Sequence, residues 1–202
     1  MATARSRTKA DVSHPLTADA ASRRLVVLVN GLPAAGKTTL ARALSRRLSL
    51  PLLSKDVIKE AHADVFGAQP PDGRPQRAWN SQFGAAANAA MWALLADSPG
   101  GAILESTWPS RETWGFVQAG LSAAGVRAPQ QIWCEVPVTL ARERFAARHP
   151  ARHAIHGEPP DDEEWSRRWA LATPLPIPDT LTVDTTGYVN LDAITDWCKR
   201  PR

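Results

Sequence analysis

One eight-residue segment, residues 31–38, limits the folds open to this chain more than any other feature. Its sequence, Gly-Leu-Pro-Ala-Ala-Gly-Lys-Thr, fits the pattern G-x-x-x-x-G-K-[ST] without a mismatch. An apolar run at 25–29 precedes it and an amphipathic segment at 38–50 follows it, which is the context that the pattern requires. Glycines let backbone N–H groups approach a phosphate, and a helix N-terminus adds positive charge. The segment therefore predicts a phosphate-binding loop, in which Lys37 contacts the phosphates and Thr38 binds Mg²⁺.

Strand-like and helix-like segments alternate along the rest of the chain. The continuous apolar run at 25–29 is typical of a strand buried in a parallel sheet. Further strands are predicted at 52–54, 102–106, 131–136 and 181–184, and helices at 38–50, 56–65, 77–96, 110–124, 138–147, 161–172 and 191–199. Such alternation implies a parallel sheet with helices on both faces. We therefore expect an α/β fold, a three-layer sandwich around five parallel strands.

Length and composition are those of a globular protein. The chain has 202 residues, 44% of them hydrophobic, which excludes a wholly disordered chain and fits one domain at 23–202. Residues 1–22 are polar, small and aperiodic, so we expect a flexible tail there. The two cysteines form no CxxC pair, which excludes a disulfide scaffold and a zinc ribbon and favours a cytoplasmic location. No run of about 18 apolar residues occurs, so no membrane span is expected.

The net charge of +4 raises the question of a nucleic-acid partner. Of the 24 basic residues, 19 are arginines that are scattered along a chain with 34 alanines and 17 prolines. That bias is typical of GC-rich coding, and an anionic nucleotide needs fewer positive charges than a duplex. We therefore expect no nucleic-acid partner.

Two polar residues follow the predicted strand at 52–54. In an open parallel sheet the carboxyl ends of the strands line the binding site, so Asp56 is expected near the terminal phosphate. There Asp56 could accept the proton of an attacking hydroxyl, cap the next helix, or do both. Lys59 lies one helical turn further on. It could hold the acceptor or the transferred phosphoryl group, or it could be a solvated helix charge.

An acid lies near the end of the predicted strand at 102–106. Glu105 could hold Mg²⁺ through water or bind the hydroxyls of an acceptor. Thr107 follows, and Trp108 could form a wall of the acceptor site or pack in the core. Together with Trp79 and Trp114, Trp108 favours an acceptor that contains a ring.

Several arginines lie close together in the second half of the chain. Arg144 and Arg148 are four residues apart and share a helix face, and Arg152 follows in a basic irregular segment at about 148–161. Phosphoryl transfer requires positive charge over the migrating group, and a lid can bring that charge. The alternative is a solvated basic helix end beside the acidic run at 161–164. The three histidines of this segment lack a cysteine or a clear acidic partner, so no zinc site is expected.

Taken together, these motifs resemble those of the small P-loop kinases, a group that includes chloramphenicol phosphotransferase, the zeta toxins and the kinase part of polynucleotide kinase. The resemblance spans about residues 25–197 and rests on the segments 31–39, 54–60, 104–107, 143–150 and 183–186. It implies a P-loop NTPase fold with strand order 2-3-1-4-5 and a basic lid.

The same resemblance implies roles for individual residues. Asp56 falls on the aspartate that activates the acceptor, and Lys59 falls on a basic position that is often arginine. Glu105 falls on the acid that ends the third strand. Arg144 and Arg148 fall on the arginines of the lid, together with Arg152 at 148–161.

The sequence therefore predicts an ATP-dependent, Mg²⁺-requiring kinase that phosphorylates a hydroxyl of a small molecule, such as an antibiotic, a nucleoside or a sugar. The expected catalytic residues are Asp56, Lys37, Arg144 and Arg148. The nucleotide is expected against Gly31, Ala34, Ala35, Gly36, Lys37, Thr38, Thr39, Arg148 and Arg152. The acceptor is expected against Asp56, Lys59, Glu105, Thr107 and Trp108, and Mg²⁺ against Thr38 and Glu105.

Two other functions stay open. One is a nucleotide-dependent regulatory switch, although the absence of an NKxD motif disfavours a GTP-dependent one. The other is a kinase that acts on RNA ends. The sequence also leaves open whether the protein is a monomer or a homodimer.

Overall fold

The computed structural model describes residues 24–71, 73–157 and 159–201, so the tail predicted at 1–22 lies outside the described residues. Strands and helices alternate along the described chain. The strands are β1 (Leu25–Gly31), β2 (Leu52–Ser54), β3 (Gly101–Glu105), β4 (Gln130–Glu135) and β5 (Thr180–Asp184). The helices are α1 (Lys37–Leu48), α2 (Lys55–Phe66), α3 (Gln76–Ala96), α4 (Trp114–Ala123), α5 (Val138–Arg148), α6 (Asp162–Leu171) and α7 (Leu191–Lys199).

The five strands form one parallel sheet in the order β2-β3-β1-β4-β5, which confirms the predicted fold class and strand order. β1 is the central strand, and Val29 pairs with Glu105 on one side while Gly31 pairs with Cys134 on the other. This register brings the ends of β1, β3 and β4 to one edge of the sheet. The loops after these strands therefore meet at that edge.

The two faces of the sheet are covered by different helices. Side chains alternate across β1, so Val27 and Val29 face a core formed with α1, α5, α6 and α7, while Val26 and Leu28 face a core formed with α3 and α4. Burial on both faces explains the unbroken apolar sequence of β1. Among the described residues, no helix has both the length and the apolar character needed to cross a membrane.

The core between α3 and α4 is tightly packed. A Cβ atom added at Gly120 would lie 2.4 Å from the ring of Trp92, whereas one at Gly115 would meet no atom within 4 Å. Trp92 in turn lies against Trp108, with ring centroids 5.9 Å apart. Gly120 therefore allows the close approach of the two helices.

The structure differs from the sequence-based boundaries at two places near the site. α2 begins at Lys55, directly after β2, so Ser54 is the N-terminal flanking residue and Asp56 lies within the first turn. The idea that Asp56 caps this helix is therefore wrong. The basic segment at 148–161, predicted to be irregular, contains two short 3-10 turns, His149–Ala151 and Ala154–His156.

Candidate active site

The loop between β1 and α1 has the backbone geometry that the sequence motif requires. Gly36 has a φ of +76° and Ala34 has a φ of +65°, both in the left-handed region. A Cβ atom at Gly31, where φ is +145°, would lie 2.6 Å from the carbonyl oxygen of Cys134 on β4. Only glycine lets β1 pair with β4 at this point. The loop and the first turn of α1 then line a cavity of about 100 Å³.

This phosphate cavity is lined by residues 33–39 together with Asp56, Glu105, Thr107, Arg148 and Arg152. Lys37 is buried beside it, and its Nζ donates to the carbonyl oxygen of Leu32 at 2.8 Å. Burial lowers the pKa of Lys37, while the nearby Glu105 carboxylate acts in the opposite direction. An anion in the cavity would stabilise the charged ammonium. The residues therefore fit the phosphate chain of a nucleotide.

Glu105 joins three elements at the edge of this cavity. Its side chain is buried, and its Oε2 accepts a hydrogen bond from Ser54 Oγ at 2.6 Å at the end of β2. Its Oε1 accepts a hydrogen bond from Thr38 Oγ1 at 3.3 Å in the first turn of α1. Oxygen atoms of hydroxyl and carboxylate groups are the ligands that Mg²⁺ prefers. Thr38 and Glu105 therefore fit a magnesium ion that would also bind water and phosphate oxygens.

A metal site built from protein side chains alone would need several ligating residues close together. Within the described residues, no group of three or more His, Cys, Asp and Glu side chains could hold a metal ion. Any ion at Thr38 and Glu105 would therefore depend on the nucleotide for most of its coordination, as is common for Mg²⁺.

Asp56 lies where two cavities meet. It lines the phosphate cavity and also a second, larger cavity of about 1120 Å³, which we call the large cavity. Its carboxylate is 3.3 Å from Lys55 Nζ and 4.0 Å from the Arg152 guanidinium. Burial raises the pKa of Asp56, but the nearby cations, Lys55 foremost, outweigh burial and lower the pKa to about 2. Asp56 is therefore an anion throughout the neutral range.

The large cavity is formed by the start of α2, the first half of α3 and the segment at 145–160. It shares four residues with the phosphate cavity, namely Pro33, Asp56, Thr107 and Arg152. A molecule bound there would consequently reach the end of the phosphate chain without leaving the protein.

Polar contacts connect one face of α2 to the basic segment. Lys59 is buried, and its Nζ lies 3.3 Å from Nδ1 of His156, whose Nε2 lies 2.7 Å from Glu60 Oε1. One turn further along α2, Asp64 Oδ1 lies 3.2 Å from Nε2 of His153. These contacts, which we call the α2 latch, hold the 3-10 turn Ala154–His156 over the start of α2. Burial lowers the pKa of Lys59 to about 8.

Two of the predicted lid arginines reach the phosphate cavity. Arg148 and Arg152 both lie over the ring of Phe145, at 5.5 Å and 5.1 Å from its centroid. Burial lowers the pKa of each guanidinium, and the Asp56 carboxylate opposes that effect. The pair places two positive charges at the cavity near Asp56, which is the arrangement that suits a transferring phosphoryl group.

The chain is similar to known proteins in sequence and in fold. The sequence profile described as AAA domain matches residues 26–169. The chain belongs to the AAA domain family. No curated protein matches its sequence significantly.

Several solved structures are similar in fold to this AAA domain protein. A candidate kinase from Chloroflexus aurantiacus is 31% identical, with a TM-score of 0.73 over 87% of this chain and 96% of that one. A gluconokinase from Sinorhizobium meliloti is 15% identical, with a TM-score of 0.55 over 87% and 90% of the two chains. Kti12 from Chaetomium thermophilum, in complex with ADP-AlF3, is 19% identical, with a TM-score of 0.53 over 87% and 100%.

In this AAA domain protein Arg144 does not line the phosphate cavity, which corrects its predicted position. Its guanidinium donates to the carbonyl oxygens of Thr185 and Thr186, at 3.0 Å each. Those carbonyls follow the end of β5 and need donors outside the sheet. Arg144 therefore fixes the loop after β5, one helical turn away from Arg148.

Of the two positions open to Trp108, the structure shows packing in the core and not a place in the acceptor wall. Only 2% of its surface is exposed, and it packs beneath the site against Trp92, so it forms no acceptor wall. Trp79 packs edge-on against Phe83, and neither Trp79 nor Trp114 lines the large cavity. The tryptophans therefore give no reason to expect a ring in the acceptor.

Sequence reasoning missed Asn30, the fully buried residue that precedes the phosphate loop. Its Oδ1 accepts from the backbone N–H groups of Gly31 at 2.7 Å and Trp108 at 2.9 Å. Its Nδ2 donates to the carbonyl oxygen of Trp108 and to Gln131 Oε1. One amide thus fixes the phosphate loop relative to the loop after β3. An asparagine at the end of an otherwise apolar strand was the available signal.

Proposed function

We propose that this protein is an ATP-dependent kinase that transfers the γ-phosphoryl group to a hydroxyl of a small molecule. The observation that carries the proposal is that Asp56 lines both cavities, between a site suited to phosphates and a space large enough for an acceptor. The 31% identical candidate kinase supports the same reaction class. A nucleotide-dependent switch would bind phosphates equally well, but it would not require the second cavity.

On the nucleotide side, Lys37 and the backbone of 33–39 hold the phosphate chain. Thr38 and Glu105 would hold Mg²⁺, which would supply positive charge to the phosphate oxygens. Arg148 and Arg152 stabilise the negative charge that spreads over the migrating group. Because hydrogen bonds of Asn30 fix the start of the phosphate loop, the loop is in position before the reaction begins.

On the acceptor side, Asp56 accepts a hydrogen bond from the attacking hydroxyl and directs its oxygen toward the γ-phosphorus. The new O–P bond forms as the bond to the bridging oxygen breaks, ADP leaves with that electron pair, and the hydroxyl proton passes to Asp56. A pKa near 2 makes Asp56 a weak base. It therefore receives the proton late, after the hydroxyl has begun to bond phosphorus, as suits a loose transition state.

The acceptor class is an antibiotic, a nucleoside or a sugar, as in the small P-loop kinases that the sequence resembles. Similarity to a gluconokinase at 15% identity concerns the fold and does not select among them. We place the protein in the cytoplasm, where ATP is available. Its two cysteines, Cys134 and Cys198, are buried thiols, which suits that compartment.

The test is transfer of label from γ-labelled ATP in the presence of Mg²⁺ to a panel of antibiotics, nucleosides, sugars and short RNA. Asp56→Asn should lower kcat by about 10²–10⁴-fold and leave ADP affinity unchanged. Asp97→Asn is the matched control, since Asp97 lies at the exposed C-terminal end of α3 and lines neither cavity. Full activity of Asp56→Asn would remove Asp56 from the mechanism, and failure to label any acceptor would contradict the proposed reaction.

A further inference from the structure

The large cavity carries a strong excess of positive charge. Two acidic side chains, Asp56 and Glu164, line it. Five basic side chains also line it: Lys55, Lys59, Arg77, Arg152 and Arg168. The whole chain has a net charge of only +4 over 202 residues, so this excess is concentrated at one place.

Some of these cations are already neutralised inside the protein. Lys55 lies 3.3 Å from Asp56, and Arg168 lies 2.5 Å from Glu164. Arg152 lines the phosphate cavity as well, where it faces the phosphates of a bound nucleotide. These three cations are therefore not available to a second ligand.

Lys59 and Arg77 remain. The carboxylates of Asp56 and Glu60 act on Lys59 through space. The direct contact of its Nζ is with Nδ1 of His156, a ring nitrogen that carries no negative charge. Arg77 makes no ion pair with any residue in the described parts of the chain, and it lies in the first turn of α3, whose N-terminus adds positive potential. Lys59 is buried, so its charge acts through little solvent.

The remaining lining combines uncharged polar side chains with five prolines. Gln69, Gln76, Asn80 and Ser81 contribute amide and hydroxyl groups, and Gln76 Oε1 is buried with no hydrogen-bond partner among the described residues. The aromatic residue of the wall, Phe145, is itself buried beneath two guanidinium groups. A cavity of about 1120 Å³ with such walls offers hydrogen bonds and positive charge beside apolar surface of similar extent.

We propose that the acceptor is a polyhydroxylated molecule that carries a carboxylate or a phosphate group, and that Lys59 and Arg77 bind this anionic group at the α2–α3 wall of the large cavity. The proposal rests on the proposed function, since it concerns the acceptor of that reaction. It makes Lys59 and Arg77 the residues that select an acidic acceptor over its neutral counterpart.

The experiment compares acceptors that differ mainly in charge. D-gluconate and D-glucose 6-phosphate are each compared with D-glucose, and uridine 5′-monophosphate is compared with uridine. For each compound, titration calorimetry in the presence of ADP and Mg²⁺ gives Kd, and transfer from γ-labelled ATP gives kcat/KM. We expect each acidic compound to bind at least about 10-fold more tightly than its neutral counterpart. Comparison of gluconate with the two phosphorylated compounds shows whether a carboxylate or a phosphate is preferred.

Variants connect the preference to the two cations. Arg77→Gln should remove most of the difference in Kd between the acidic and neutral compounds, while Arg77→Lys should keep part of it because the charge remains. Lys59→Gln should act in the same direction as Arg77→Gln. Arg167→Gln is the matched control, since Arg167 is an arginine of α6 that does not line the large cavity. Thermal unfolding of each variant shows whether it is folded.

The outcomes separate this inference from the proposed function. Transfer to acidic and neutral compounds with equal kcat/KM and Kd would overturn the inference and leave the kinase in place. Tighter binding of the acidic compounds without transfer to any of them would support the anion site and contradict the kinase. Absence of binding by every acidic compound, or a preference unchanged in both Arg77→Gln and Lys59→Gln, would also overturn the inference.

Discussion

Nζ of Lys59 lies 3.3 Å from Nδ1 of His156. An ammonium group can only donate, so Nδ1 must accept and the ring carries its proton on Nε2, from which it donates to Glu60 at 2.7 Å. The histidine is therefore neutral in this arrangement. Burial lowers the pKa of His156, although the hydrogen bond to Glu60 acts in the opposite direction. The α2 latch thus depends on a charged lysine beside an uncharged imidazole.

The charge on Lys59 should limit activity at alkaline pH. Its pKa is lowered to about 8, so the protein loses this cation as the pH rises through 8. At low concentrations of both substrates, kcat/KM reports the free enzyme, and we expect it to fall up to about tenfold per pH unit above 8. Lys59→Arg keeps its charge and should move this decline to higher pH. An unchanged decline in that variant would assign it to another group.

The neutral state of His156 should make stability depend on pH on the acidic side. Because its folded pKa lies below the ordinary value near 6.5, the unfolded chain binds the proton more readily, so stability should fall as the pH drops below about 6.5. Glutamine can accept from Lys59 and donate to Glu60, so His156→Gln should weaken this dependence.

The measurement is the free energy of unfolding in urea at pH 7.5 and pH 5. His62→Gln, a substitution of the histidine on α2 itself, is the control for the loss of a histidine. Equal pH dependence in His156→Gln and the wild type would contradict the neutral assignment.

The packing of α4 against Trp92 gives a prediction about stability alone. The Cβ of Gly120→Ala would lie 2.4 Å from the indole ring, so the two helices must separate or Trp92 must move. Such overpacking costs about 1–3 kcal/mol of unfolding free energy. Gly115→Ala, on the same helix but with no atom within 4 Å, should change the unfolding free energy by less than about 1 kcal/mol. Denaturant unfolding of both variants checks the difference.

Most of the fold could be predicted from local sequence patterns. The apolar run of β1 and the glycine-rich loop after it are local signals, because burial on both faces and phosphate binding each demand particular residue types. The order 2-3-1-4-5 came from the family resemblance and is confirmed by the register of β1 with β3 and β4. Helix boundaries were less accurate, as at α2, because no turn separates it from β2.

Long-range contacts account for what the sequence did not predict. A spacing of four residues puts Arg144 and Arg148 on one face of α5, but it does not tell which cavity each guanidinium reaches. Likewise, Lys59 and His156 are 97 residues apart in sequence, so neither residue indicates the other. Trp108 follows a strand end that could open to a site or to the core, and the position of Trp92 decides between them.

The hydrogen bonds of Glu105 lead to a prediction about magnesium. If Glu105 holds Mg²⁺ through water, Glu105→Gln removes the negative charge, and the Mg²⁺ concentration for half-maximal activity should rise about 10-fold or more. Ser54→Ala removes the hydrogen bond to Oε2 and leaves the charge, so it should cause a smaller rise. Titration of Mg²⁺ at fixed ATP measures both. An unchanged Mg²⁺ requirement in Glu105→Gln, together with a raised KM for the acceptor, would instead assign Glu105 to the hydroxyls of the acceptor.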